Sequence, residues 1–207
     1  MSNNFPIKKY FSLKNFFLEY RNNIQKSLLN VDLNKIEILN NIIEKKIKKN
    51  NNIFVCGNGG SASIANHYVT DFTKMLRTKT KLKPKLFSLN SNSGLISAIS
   101  NDIGYESVFT YQAETYCKKS DLIIIISSSG NSKNIINLVK FAKKKRIKTI
   151  GFCGFKGGYL NNNSDINIHI NTNNYGLVED CHHIIMHSIA QYIRQKNIKS
   201  KVNRIIF

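Results

Sequence analysis

The run DLIIIIS, residues 121 to 127, limits the possible folds of this chain more than any other stretch. A leucine and four consecutive isoleucines leave no polar side for water, so a strand made from them has to be covered on both faces. Four shorter apolar runs resemble it: NNIFVCG, KLFSLN, IKTIGFCG and DINIHIN. Between them lie Gly/Ser/Asn turns and helical patterns, one starting near Ser61, then SGLISAIS, then SKNIINLVKFAKKKR, with a last long helix over 177 to 196. Strands that alternate with helices, and whose cores are almost wholly apolar, imply a parallel sheet with helices on both sides. Residues 12 to 49 also read as helical, with Asn30-Val31-Asp32 closing one helix and capping the next. The predicted fold is a three-layer αβα sandwich around a mostly parallel five-stranded sheet. It comprises a helical extension over 1–50, a ligand-binding domain over 51–200 and a tail over 201–207. In such sheets ligands lie beyond the carboxyl ends of the strands, near a topological switch point.

The bulk numbers agree with one domain. A chain of 207 residues with 42% hydrophobic content can bury a sizeable core. The formal charge of +19 is high. Its lysines are spread along the chain with an excess of Asn and Ile, and runs such as Lys45-Lys46 and Lys143-Lys144-Lys145 fall on solvated helix faces. This reads as compositional bias rather than a nucleic-acid stripe. Cys56, Cys117, Cys153 and Cys181 form no C-x-x-C pair and are expected as reduced, mostly packed thiols. No run reaches the roughly 18 apolar residues of a membrane span, and MSNNFPIKKYF lacks a signal-peptide core. A cytoplasmic protein without a membrane partner is expected.

Two turns attract attention. GNGGS, residues 57 to 61, follows the first strand; it lacks the lysine of a P-loop and the spacing of a dinucleotide fingerprint. SSSGNS, residues 127 to 132, follows the strongest strand. Its hydroxyls, backbone N–H groups and following helix N-terminus suit a phosphate, with no lysine needed. The competing reading, a serine N-cap on an ordinary turn, requires only one serine.

Together with the pair Asn101-Asp102, these turns resemble the sugar isomerase (SIS) domain family, and within it the phosphoheptose isomerase branch; the likeness runs from the N-terminal helices to the last helix. The resemblance implies a flavodoxin-like fold and a sugar phosphate held by Ser127, Ser129 and Ser132, with Asn58, Gly59 and Ser61 assisting. It places Asn101 and Asp102 near the substrate. His67, Asp71 and His187 fall at catalytic positions, and Glu179 at a position that binds substrate and, in some members, metal. With His67, Asp71 and His187, Glu179 would form a set for zinc or another divalent cation. Homotetramers built partly through the N-terminal helices are implied as well. Two departures stand out. Asp71 replaces a glutamate, withdrawing the carboxylate by about 1.5 Å, and a shift of about 1 Å can cost roughly a hundredfold in rate. The arginine that family members carry soon after this base has no match; Lys74, Met75 and Arg77 occupy the region.

Residue chemistry points the same way. Moving a proton between C1 and C2 of a sugar through an enediol needs a base for a carbon-bound proton, and an acid or a metal at the carbonyl oxygen. His67 and Asp71 share a helix face at i, i+4, and Glu179, His183 and His187 recur every four residues on another. His169 and His182 read as packed residues without a role. The leading expectation is isomerisation of sedoheptulose 7-phosphate to D-glycero-D-manno-heptose 7-phosphate. The alternative is a phosphosugar-binding protein without turnover, or a scaffold associating with a replication initiator, motivated by the changed base and the missing arginine. Direct nucleic-acid binding rests on charge alone and ranks last.

Overall fold

The computed structural model describes residues 4–199; the expected tail, 201–207, lies outside the described residues. The chain folds as α1 (Leu13–Leu29), α2 (Leu33–Lys48), β1 (Asn52–Gly57), α3 (Gly60–Thr70), β2 (Lys85–Ser88), α4 (Ser93–Asp102), α5 (Val108–Tyr116), β3 (Leu122–Ser127), α6 (Lys133–Lys145), β4 (Lys148–Cys153), α7 (Gly158–Asn163), β5 (Ile166–His169) and α8 (Tyr175–Asn197). A π-helical turn, Asp71–Met75, continues α3, and a short 3-10 turn, Tyr105–Ser107, precedes α5.

All five strands are parallel, in the order β2-β1-β3-β4-β5. The isoleucine run occupies the centre, and every residue of β3 is buried. Alternation sends Leu122, Ile124 and Ile126 to one face and Ile123 and Ile125 to the other. The first face packs on α2, α3 and α8 through Leu39, Ile43, Ile64, Tyr68, Ile185 and Ile189. The second packs on α4, α5, α6 and α7 through Ile99, Phe109, Leu138 and Leu160. Each fully buried aliphatic side chain contributes about 1.5–3 kcal/mol, so the two faces supply most of the driving force.

The N-terminal helices start as the sequence predicts. Asp32 caps α2, its Oδ1 accepting from the Asn34 N–H at 2.9 Å. Cys56, Cys153 and Cys181 are buried free thiols and Cys117 is half-buried. Among the described residues no helix is long and apolar enough to cross a membrane.

Glu44 in α2 is a buried carboxylate that ties this helix to α8. It accepts from Lys48 at 2.6 Å, Lys196 at 2.9 Å and Asn197 at 3.3 Å. Burial alone would raise its pKa, but the bonds from Lys48, Lys196 and Asn197 outweigh it and hold the carboxyl at about 2, against an ordinary 4.5. Because the folded value is the lower one, this stabilisation is complete above pH 4.5 and is lost as pH falls toward 2. Glu44→Gln is therefore expected to melt at a lower temperature at pH 7 and to lose less stability than the parent across that acid window; thermal unfolding at a series of pH values checks it.

Candidate active site

The β1–β3 pairing sets Gly57 opposite Ile126, so the turns after the two strands leave the sheet at the same level. They close on a cleft of about 280 Å³ lined by Asn58, Gly59, Gly60, Ser61, Ser127, Ser128, Ser129, Ser132, Tyr175 and Glu179. Larger clefts open elsewhere. One of about 380 Å³ between α2 and α8 is lined by Leu33, Ile36, Ile189 and Tyr192 among others, and neither turn borders it.

Both helices that start at the cleft do so without a side-chain cap. Gly59 precedes α3 and Ser132 precedes α6, and neither makes a capping bond. The positive ends of two helices thus border the cleft, a field that favours an anion there. The loops are held from outside. Asn90 clamps the first turn, accepting from the Gly57 N–H at 3.0 Å and donating to the Gly57 carbonyl at 2.9 Å. Asn58 and Asn134 exchange amide hydrogen bonds at 3.0 and 2.9 Å, and the Tyr105 hydroxyl donates to Asn58 Oδ1 at 2.9 Å. Ser127 Oγ accepts from the Gly130 N–H at 3.2 Å, fixing the serine loop from within.

α3 and α8 run away from this cleft in the same direction. Glu179 packs its carboxylate on Gly60 at the cleft end, where any Cβ would collide with it. Further along, His67 meets His183 and His187. By helix rise, Ser61 and His67 are about 9 Å apart along α3. There His67 Nε2 and His187 Nε2 are 3.1 Å apart. Asp71 Oδ2 is 3.0 Å from His187 Nε2 and 3.5 Å from His67 Nε2. The shortened side chain at 71 therefore reaches both imidazoles. Asp71 opens the π turn, an insertion that re-aims the residues after it.

His183 completes a cluster with His67 and His187, with one ring nitrogen from each within 4.8 Å of the others. Burial lowers its pKa, His187 and His67 push in the same direction, and Asp71 and Asp180 oppose them. Its Nε2 is buried without a hydrogen-bond partner. Imidazoles beside a carboxylate suit zinc or a similar divalent cation, so the donors present fit such an ion.

The expected residues are thus distributed over distinct places. Asn58, Gly59, Ser61, Ser127, Ser129, Ser132 and Glu179 line the cleft. His67, Asp71 and His187 meet beyond it. Glu179, expected also as a metal ligand beside them, is not part of the three-histidine group; it stays at Gly60, where burial raises its carboxyl pKa and Asp180 adds to the rise. Asn101 and Asp102 are exposed at the end of α4, bonded to each other at 2.8 Å, and do not line the cleft. His182 is fully buried, with its Nε2 3.2 Å from the Cys153 carbonyl, and desolvation takes it down to about 4; His169 faces the Phe155 carbonyl at 2.9 Å. Sequence reasoning missed the roles of Ser128 and Tyr175 as lining residues, Asn134 and Tyr105 as supports, and His183 in the cluster. Only His183 left a signal, its i, i+4 spacing from His187.

Such an arrangement, a serine-lined anion cleft at the switch point of a parallel sheet, defines a phosphosugar-binding α/β domain. A family model described as SIS domain matches residues 17–154, and the chain belongs to that family. It is 38% identical over 158 residues to the phosphoheptose isomerase of Aliarcobacter butzleri, covering 76% of this chain and 83% of that protein. It is 30% identical over 161 residues to the phosphoheptose isomerase of Campylobacter concisus, covering 78% and 85%. The solved phosphoheptose isomerase of Neisseria gonorrhoeae shares the fold, with a TM-score of 0.80 and 24% identity over 88% of this chain and 97% of that one.

Gly130 tests the anion cleft. It sits at φ +66°, and a Cβ there would fall on the Gly157 carbonyl oxygen. Gly130→Ala is expected to cost at least about 1–2 kcal/mol from the left-handed backbone alone, or roughly 2–8 °C in Tm for a chain of this size. It should also abolish the rise in Tm that inorganic phosphate gives the parent. Differential scanning with and without phosphate measures both effects.

Proposed function

We propose that the chain is an aldose–ketose isomerase of the phosphoheptose type, converting sedoheptulose 7-phosphate to D-glycero-D-manno-heptose 7-phosphate. The observation that carries this reading is the meeting of His67, Asp71 and His187 on the same two helices, α3 and α8, that border the serine cleft. The phosphate lies among Ser127, Ser129, Ser132 and the amides that start α3 and α6. Asn58, Gly59, Ser61 and Glu179 line the sugar's path, and the reacting carbons lie toward the histidines. Asp71 is the base for the proton on C1. That proton is returned to C2 of the enediol, while His187, 3.0 Å from Asp71, gives a proton to the C2 oxygen and takes the proton of the C1 hydroxyl, and His67 orients both. Bond making and breaking balance without a redox partner. Where zinc or another divalent cation is held by His67 and His187 with Asp71 beside it, the cation would polarise the carbonyl oxygen in place of the His187 proton, and Asp71 would remain the base.

Asn101 and Asp102 stand outside the cleft of their own chain, which supports sites completed between copies. Phe11, Leu13 and Phe17, exposed by 91, 81 and 62%, support an assembly through the N-terminal extension. A homotetramer in the cytoplasm belongs to this proposal. Light scattering is expected to give four times the 23.6 kDa chain mass, and Phe17→Glu a smaller species.

Purified protein incubated with sedoheptulose 7-phosphate is expected to form the aldose phosphate. Its absence both with and without a chelator rejects the reading. His187→Ala and Asp71→Asn should each lower kcat by about 10²–10⁴-fold with little change in KM, while Ser129→Ala should raise KM. Steady-state kinetics separates the two classes.

A further inference from the structure

The isomerase reading leaves open which donors surround the cation. Resting on that reading, we propose that His183 is a direct metal ligand, so that the ion sits among the imidazoles of His67, His183 and His187 with Asp71 beside them and Glu179 outside its coordination sphere.

The three rings converge as a ligand set does. Their centroids form a nearly equilateral triangle with sides of 4.9, 5.0 and 5.0 Å. Donors on a tetrahedral zinc, with bonds of about 2.0–2.1 Å, stand about 3.3 Å from one another. The distances already present are close to that: 3.1 Å between His67 and His187, 3.0 Å from His187 to Asp71, and 3.5 Å from His67 to Asp71. His183 lies one helical turn before His187, its ring parallel to within 4°. One ring nitrogen of His183 lies within 4.8 Å of one from His67 and one from His187.

Nothing in the fold otherwise employs this side chain. His182, one residue earlier, has the Cys153 carbonyl against its Nε2. The His183 Nε2 is buried with no hydrogen-bond partner, a situation that costs roughly 1–3 kcal/mol when uncompensated. A cation bound at that nitrogen would remove the deficit. Glu179 is engaged elsewhere, its carboxylate packed on Gly60 at the cleft. Eight residues separate it from His187, about 12 Å along the helix. A set of three imidazoles and one carboxylate favours zinc, cobalt or nickel over magnesium or manganese.

Zinc affinity, measured by competition with a chromophoric chelator, tests the assignment together with the visible spectrum of the cobalt-substituted protein. His183→Ala, with a parent-like circular dichroism spectrum, is expected to weaken zinc binding by at least about tenfold, the lower bound for loss even of an outer-sphere partner, and to alter the cobalt bands. Glu179→Gln should bind zinc within twofold of the parent. X-ray absorption of the unaltered zinc protein should count three imidazoles, which keeps the test valid if His183→Ala fails to fold. Parent-like binding by His183→Ala, two imidazoles by absorption, or an equal loss in Glu179→Gln overturns the proposal. A parent that isomerises the sugar yet binds no zinc overturns it too and leaves the isomerase reading standing. Zinc bound by three imidazoles without isomerisation supports the ligand and rejects the reaction.

Discussion

The parallel pairing of β1 with β3 is the contact from which the site follows. β2 lies beyond β1 on one side and β4 beyond β3 on the other, so chain progression reverses between these two strands. At such a reversal the turns above the sheet diverge and leave a crevice. Register then decides what faces it. With Gly57 opposite Ile126, the GNGGS and SSSGNS turns emerge together, and the uncapped starts of α3 and α6 border one space.

The second constraint is the side-by-side course of α3 and α8. At the cleft end the Glu179 carboxylate of α8 lies over Gly60 of α3. From there both helices run away from the cleft, and about 9 Å along α3 separates Ser61 from His67. The arrangement divides labour by electrostatics. Helix N-termini, which attract anions, stand at one end; three imidazoles and a carboxylate stand at the other.

Much of this was legible without coordinates. Five strands, the helices before and after them, the Asp32 cap and the importance of both turns followed from apolar runs, periodicity and glycine–serine punctuation, because those signals act over a few neighbouring residues. The two short helices α5 and α7 and the π turn at Asp71 were not. Six residues of α7 carry too little periodicity to read, and the π turn depends on how α3 packs against its neighbours. Ser128 passed unnoticed because nothing local distinguishes it from Ser127 and Ser129. Glu179 reads as a partner of His187 on helical spacing, yet two turns of rise place it at the other end of the site.

The sequence by itself determined the layers, the sheet's burial on both faces and the existence of a serine-rich turn at a strand's carboxyl end. Each is a property of short segments and their solvation. Only the tertiary structure decided which titratable groups meet. His67 and His187 are 120 residues apart, and no local rule states that α3 and α8 run side by side in the same direction. That choice belongs to the packing of the whole sheet, which also brought His183 to the cluster, left Glu179 at the cleft, and let the shorter Asp71 reach both rings.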